Sequence, residues 1–275
     1  MMMQGTEGHV SRVVEATEAV CSLPAIGTQD WCDRAAEALL RLFPRDLIAL
    51  AILEVESDAG VARVEAVGVA GADPRGDRVP ALRRRFDTAH LLGWWLGDPA
   101  SWRDGAAAAR LADAAPRAWP TSDGSRQWAS LGVTEVLAGA ALLARDDPAR
   151  LIVVEVGRPE VGRLFEVAED PAILAATLGA VARRAMLAFG TDRISPARML
   201  TPREQEVLEH LALGRSVKEI AARLSRIPHT VHDYVKALHR KLQASSRGAL
   251  IAKALGHSMA GAGADRAESR RASAG

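Results

Sequence analysis

The chain has 275 residues, 48% of them hydrophobic, with 35 Lys+Arg against 34 Asp+Glu for a net charge of +1. That length favours two domains over one, and that composition excludes a disordered, collagenous or supercharged chain. The balance hides a split: residues 1–195 hold 21 Arg, no Lys and 27 acidic residues (net −6), whereas residues 196–257 hold 11 basic and 5 acidic residues (net +6).

All four lysines (Lys218, Lys236, Lys241, Lys253) lie in the basic stretch, which predicts a polyanion partner for that part alone. The lack of Lys before residue 196 excludes an Asp-based receiver site with its partner Lys, and a P-loop with its phosphate-holding Lys. Cys21 and Cys32 cannot form a disulfide framework or complete a metal-ligand set, and are read as reduced, partly buried thiols. The first seven residues lack the basic and apolar regions of a signal peptide, and no run reaches the roughly 18 apolar residues of a membrane span, so a cytoplasmic location away from membranes is expected.

In chain order, Trp31–Phe43 places Trp31, Ala35, Ala38, Leu39 and Leu42 at helical spacing and stops at Pro44. Leu47–Val55 and Val61–Val69 are β-branched, apolar runs around Ser57-Asp58-Ala59-Gly60, a predicted hairpin. Ala81–Leu96 reads as a helix, and 98–123 has no clear period. Thr134–Leu143 and Leu151–Val156 flank a predicted turn over Arg145–Ala149, and a long helix is predicted from about Asp170 to Phe189 with Ile173, Leu174, Leu178, Val181, Ala185 and Leu187 on its apolar face.

This order predicts an α+β domain over residues 1–190, an antiparallel sheet with packed helices, and it loosely resembles a GAF or PAS-like sensory domain. A linker is expected over 191–199. The small, polar residues 258–275 predict a disordered tail.

Residues 200–257 read as four short helices. Thr201-Pro202-Arg203-Glu204 and Ser216-Val217-Lys218-Glu219 are two capping boxes, each followed by an apolar stripe, and Gly214 suits the residue that closes the first helix. The third helix, about Pro228 to Leu242, segregates sharply. With His229 at zero and about 100° per residue, Val231, Tyr234, Val235, Leu238 and Leu242 gather on one side and His229, His232, Asp233, Lys236 and Arg240 on the other. An apolar stripe that holds a helix on its scaffold, opposite a face of donors and acceptors, is what reading a DNA major groove requires. Lys236 suits guanine O6/N7 or a phosphate. Asp233 suits a cytosine N4 amine and repels phosphate, and His232 could donate to either.

Leu200–Leu208, Gly214, Ser216–Ala221, Thr230-Val231, Val235 and Arg240–Leu242 together resemble the LuxR-type (GerE-like) helix-turn-helix domain. The resemblance implies an all-α four-helix DNA-binding domain in a sequence-specific transcription regulator. It implies double-stranded DNA and RNA polymerase as partners, a homodimer, and the third helix in the major groove. Carried over by position, Lys218 and Thr230 would contact phosphates, and His232, Asp233 and Lys236 would face base edges.

Three positions depart from the family pattern. Ser225-Arg226-Ile227-Pro228 stands where a small residue, an apolar one and a capping Ser or Thr are usual, and Ile227 cannot cap, so either Ser225 substitutes or Thr230 opens the helix later. Gln243 replaces the usual C-capping Gly, which predicts a longer helix or a strained exit. Tyr234 holds a position often taken by His and is assigned to the core. The Ser246–Leu255 helix is read as part core, part dimer contact, with a purely intramolecular role as the alternative.

The six tryptophans, Trp31, Trp94, Trp95, Trp102, Trp119 and Trp128, all lie in the N-terminal domain and are assigned to ordinary packing, with an aromatic ligand pocket as the alternative. Arg83-Arg84-Arg85 reads as a solvated helix face, and His90 as a satisfied core histidine. No nucleophile, base and orienting acid fall at a recognisable spacing, so no enzyme is expected. The N-terminal domain then either senses an unidentified small-molecule effector and sets dimer geometry, or is only a dimerisation scaffold for a constitutive DNA-binding protein.

Overall fold

The computed structural model describes residues 3–56, 61–71, 76–86, 105–144, 147–159, 165, 169–190 and 198–254. The chain divides into two compact units, one of residues 1–23 and 30–195, the other of 24–29 and 196–275.

The first unit is built on a five-stranded antiparallel sheet of order β2-β1-β5-β4-β3, from β1 (Leu47–Glu56), β2 (Val61–Gly71), β3 (Ala106–Arg110), β4 (Glu135–Ala144) and β5 (Asp147–Arg158). Strand β1 is apolar at every position from Leu47 to Leu53 because both faces of the sheet are covered. Ile48, Leu50 and Ile52 point to one core with Ile152, Val154 and Val156, while Leu47, Ala49, Ala51 and Leu53 point to another with Leu151 and Val153. The first core is roofed by α1 (Met3–Cys21), α2 (Trp31–Leu39) and α6 (Glu169–Phe189). The second contains Leu82 of α3 (Arg78–Phe86), Leu111 of α4 (Leu111–Ala114) and Trp128 of α5 (Asp123–Ser130).

Glycines set two of the close approaches. A Cβ on Gly139 of β4 would lie 2.5 Å from Leu178 Cδ1, so α6 rests directly on the strand. A Cβ on Gly157 of β5 would lie 2.3 Å from Trp128 Cζ3, so the indole lies across the backbone there. Trp128 Nε1 donates to the fully buried Glu155 at 2.6 Å. Arg158 grips Asp46 through two nitrogens at 3.0 and 2.8 Å beneath the Phe165 ring, and Arg150 joins Glu65 of β2 to the carbonyl of Gly190 just past α6. Each of these buried charges takes at least one charge-assisted bond.

Several expectations need correction. The second hairpin turns more tightly than predicted, since β5 already begins at Asp147 and Ala144 pairs with it. The helix predicted from Trp31 ends at Leu39, before a turn. Met3–Cys21 is a helix that was not anticipated, and Ala106–Arg110 is an edge strand inside a stretch read as aperiodic. Leu187 is 55% exposed and does not belong to the apolar face assigned to α6.

Contrary to the absence expected, α6 is long and apolar enough to cross a membrane by length and hydropathy alone. Yet Leu174, Thr177, Leu178, Val181, Ala182 and Ala185 are buried in the core of this unit. Cys21 is exposed, whereas burial, with Asp33 adding to it, pushes the Cys32 thiol pKa far up and keeps it protonated. The helix predicted beyond Phe86, His90, Trp94, Trp95, Trp102, most of the expected linker and the predicted disordered tail lie outside the described residues. Trp31, Trp119 and Trp128 are buried in the cores, and Arg83 pairs with Asp33.

Candidate nucleic-acid interface

The second unit holds α7 (Pro202–Ala212), α8 (Val217–Arg223), α9 (Pro228–Lys241) and α10 (Arg247–Ala254) around one core of Leu200, Val207, Leu208, Leu211, Ile220, Ala221, Val231, Leu238, Ala244 and Leu250. Ile26 joins that core, and the segment carrying it is tied in by a parallel bridge between Thr28 and Leu200, by Gln29 N–H to Leu200 C=O at 3.0 Å, and by Leu200 N–H to Gly27 C=O at 3.0 Å.

Both capping boxes form. The Thr201 hydroxyl accepts from Glu204 N–H while Glu204 accepts from Thr201 N–H at 2.7 Å, and Ser216 and Glu219 repeat the exchange. Glu204 is drawn down in pKa: burial opposes the charge, but the Lys241 ammonium at 2.7 Å and the Thr201 amide outweigh it. Lys241 also donates to the Met199 carbonyl at 2.9 Å, so it bolts the end of α9 to the start of α7.

Helices α7, α8 and α9 end alike, in a left-handed residue whose N–H, with the next, returns to the last turn. That residue is Gly214 (φ 81), Ser225 (φ 52) and Gln243 (φ 48) respectively. This settles the two odd turns. Ser225 does not cap α9 but terminates α8, Thr230 does not open α9 later, and the helix starts with Ile227 as an N-cap without a side-chain bond and Pro228 in the first turn. Gln243 does not lengthen α9; it takes the strained exit.

The predicted segregation of α9 is realised. Val231 and Leu238 are buried and Tyr234, Val235 and Leu242 are half-buried against the core, while His229, His232, Asp233, Lys236 and Arg240 are exposed. Three of them form a ladder: Asp233 lies 3.2 Å from His229 Nδ1 and 3.6 Å from Lys236 Nζ. Lys218 is exposed in the first turn of α8, and Thr230 is half-buried with its N–H on the Ile227 carbonyl at 3.1 Å.

Charge counting from sequence overstated the free cations. Lys241 is committed to Glu204, Lys253 to the Leu242 carbonyl, and Arg247 to the carbonyls of Leu211 and Arg215. It also passed over Arg226, exposed in the turn that enters α9, where no local sequence pattern marks it.

Residues 198–254 match the family described as "Bacterial regulatory proteins, luxR family". The chain is 30% identical over 197 residues to the probable transcriptional regulatory protein NarL of Mycobacterium tuberculosis, covering 66% of this chain and 91% of that protein. It is 45% identical over 56 residues to the transcriptional regulatory protein DesR of Bacillus subtilis, covering 20% of this chain and 28% of that one. A crystal structure of Escherichia coli SdiA is similar over 84% of this chain and 92% of that chain, at 19% identity and a TM-score of 0.39.

Proposed function

We propose that this chain, which belongs to the luxR family of bacterial regulatory proteins and is a DNA-binding transcription regulator, docks α9 in the major groove of its target. The observation that carries the docking is the helix itself: one side is locked into the core by Val231 and Leu238, and the other presents His229, His232, Asp233, Lys236 and Arg240 to solvent. In this reading Lys218 and Thr230 hold phosphates, Lys236 reads guanine or a phosphate, and Asp233, held between His229 and Lys236, points at base edges because its charge repels the backbone.

The protein works as a homodimer on paired half-sites, reaches RNA polymerase, and acts in the cytoplasm. A GAF/PAS-like domain within residues 1–190, from which Pro24–Gln29 depart to the second unit, governs it by binding a small-molecule effector; the antiparallel sheet covered by helices on both faces supports that assignment. The second reading, a dimerisation scaffold without an effector, is favoured by one observation: Trp31, Trp119 and Trp128 are taken up in core packing.

Selection of bound sites from random duplex DNA, followed by titration, tests the reading. Lys236→Ala should weaken binding to the selected site and relax its sequence preference, by about 1–3 kcal/mol if it reads a base. Lys218→Ala should weaken all sequences alike and reduce the salt slope by about one. Wild-type binding by both variants would remove α9 from the groove. A melting-temperature shift with a metabolite would separate the effector reading from the scaffold.

A further inference from the structure

Helix α6 is apolar over most of its length, yet only a third of its most apolar window is buried. At about 100° per residue, Glu169, Ala172, Ala176, Ala180, Arg183 and Leu187 fall within about 40° of one line, opposite the buried Leu174, Leu178, Val181 and Ala185. On that outer line Ala172, Ala176 and Leu187 are exposed, as are Glu169 and Arg183. Three of the five large hydrophobic residues exposed among the described residues sit on α6 or on α1, which packs beside it: Val10 at 58%, Val14 at 48% and Leu187 at 55%.

We infer that this face of α6 is the dimer surface, and that its occupant is the same face of a second copy, packed antiparallel about a two-fold axis at Ala176. The inference rests on the homodimer of the preceding reading and says where it is built. The charge pattern selects the partner and the direction. Glu169 and Arg183 lie equally far on either side of Ala176, so an antiparallel pair sets each Glu169 against the other copy's Arg183 at both ends. A parallel pair would instead set Glu169 on Glu169 and Arg183 on Arg183. Between the charges, Ala172 meets Ala180 of the second copy and Ala176 meets itself, and side chains of one carbon allow the close helix approach that a tight pair needs. Two-fold symmetry forms both charge pairs with one surface.

The test is sedimentation equilibrium of the full chain without DNA, with each variant's melting curve as a fold control. Wild type should dimerise at micromolar concentration. Arg183→Glu and Glu169→Arg singly should each raise the dimer dissociation constant about tenfold, because each turns two attractive contacts into two repulsive ones, and the double swap should restore it to within about threefold. Ala176→Glu, which sets like charges on the axis, should give monomers. In a Cys21→Ser background, Ala176→Cys should cross-link to itself under mild oxidation, while Arg183→Cys should not, its two copies being about 21 Å apart.

A wild-type dimer that the single swaps leave intact, or that the double swap does not recover, would overturn the α6 surface while leaving the dimer standing. A wild-type monomer at about 100 μM would overturn the dimer reading itself.

Discussion

Glu204 is the place where the helix-turn-helix unit is most exposed to a single change. Its carboxylate accepts from Thr201 N–H and from Lys241 Nζ, both at 2.7 Å, and the two side chains are only 7% and 13% exposed. Glu204→Gln keeps the shape and the cap acceptor but strands the ammonium. Stranding one member of a fully buried pair costs about 3–5 kcal/mol, and Lys241 keeps the Met199 carbonyl and some solvent, which brings the figure to about 2 kcal/mol.

Glu204→Ala removes the cap bond as well, for about 3 kcal/mol in total. A unit of this size has about 6 kcal/mol of stability at about 0.1 kcal/mol per residue, so the alanine variant loses about half. Hydrogen exchange across 198–254 in the full chain reads the loss locally, as roughly thirtyfold faster exchange for Gln and over a hundredfold for Ala. Glu204→Gln/Lys241→Met removes the stranded charge and should recover most of it, with a coupling above about 1 kcal/mol. A coupling below about 0.5 kcal/mol would mean that the pair behaves as an ordinary surface ion pair, and the bolt between α9 and α7 would be refuted.

Three further outcomes follow from the same geometry. Glu204 and Glu219 both have lowered pKa values, the first through Lys241 and Thr201 against the opposing effect of burial, the second through the Ser216 amide and hydroxyl. Their contribution is therefore fully present above the unfolded carboxylate pKa of about 4.3 and is lost as pH falls through the lower folded values. Exchange protection of α7 and α8 should hold from pH 7 to 5 and fall towards pH 3, and protection unchanged at pH 3 would contradict this. Gln243→Gly should stabilise the unit by about 1 kcal/mol by relieving a left-handed residue, seen as a higher melting temperature; a lower one would contradict the strained exit. Gly157→Ala should cost about 1–3 kcal/mol by driving a methyl into Trp128, visible as altered tryptophan emission, and an unchanged stability would mean that the indole does not rest on that strand.

What could be read from sequence was what is locally encoded. Two capping boxes, the apolar stripe of α9 and the β-branched runs of the hairpins each carry their instructions within a dozen residues. The misses are places where tertiary packing overrides local preference. Ala106–Arg110 is four alanines and an arginine, a helix-former by propensity, and becomes an edge strand because β4 offers a backbone to pair with. Met3–Cys21 contains two glycines and several β-branched residues, and is a helix whose Ala16 and Val20 are buried in a core that only the whole fold supplies. In the candidate interface, the exposed face of α9 was legible from angles alone. Lys241 was not distinguishable from the free cations, since its partners Glu204 and Met199 lie far away in sequence.

The short run from Pro24 to Gln29 changes how this protein can be cut. The chain leaves the sheet-bearing unit after Leu23, contributes Ile26 and a bridge partner for Leu200 to the helical unit, and returns at Asp30. The helix-turn-helix is therefore not a contiguous module. A fragment beginning at the family match would be missing a side chain from its own core, and a chimera that exchanged the first 195 residues for another sensor would carry that piece away with them. Excision and domain grafting, routine for separable domains, would have to keep residues 24–29 in place.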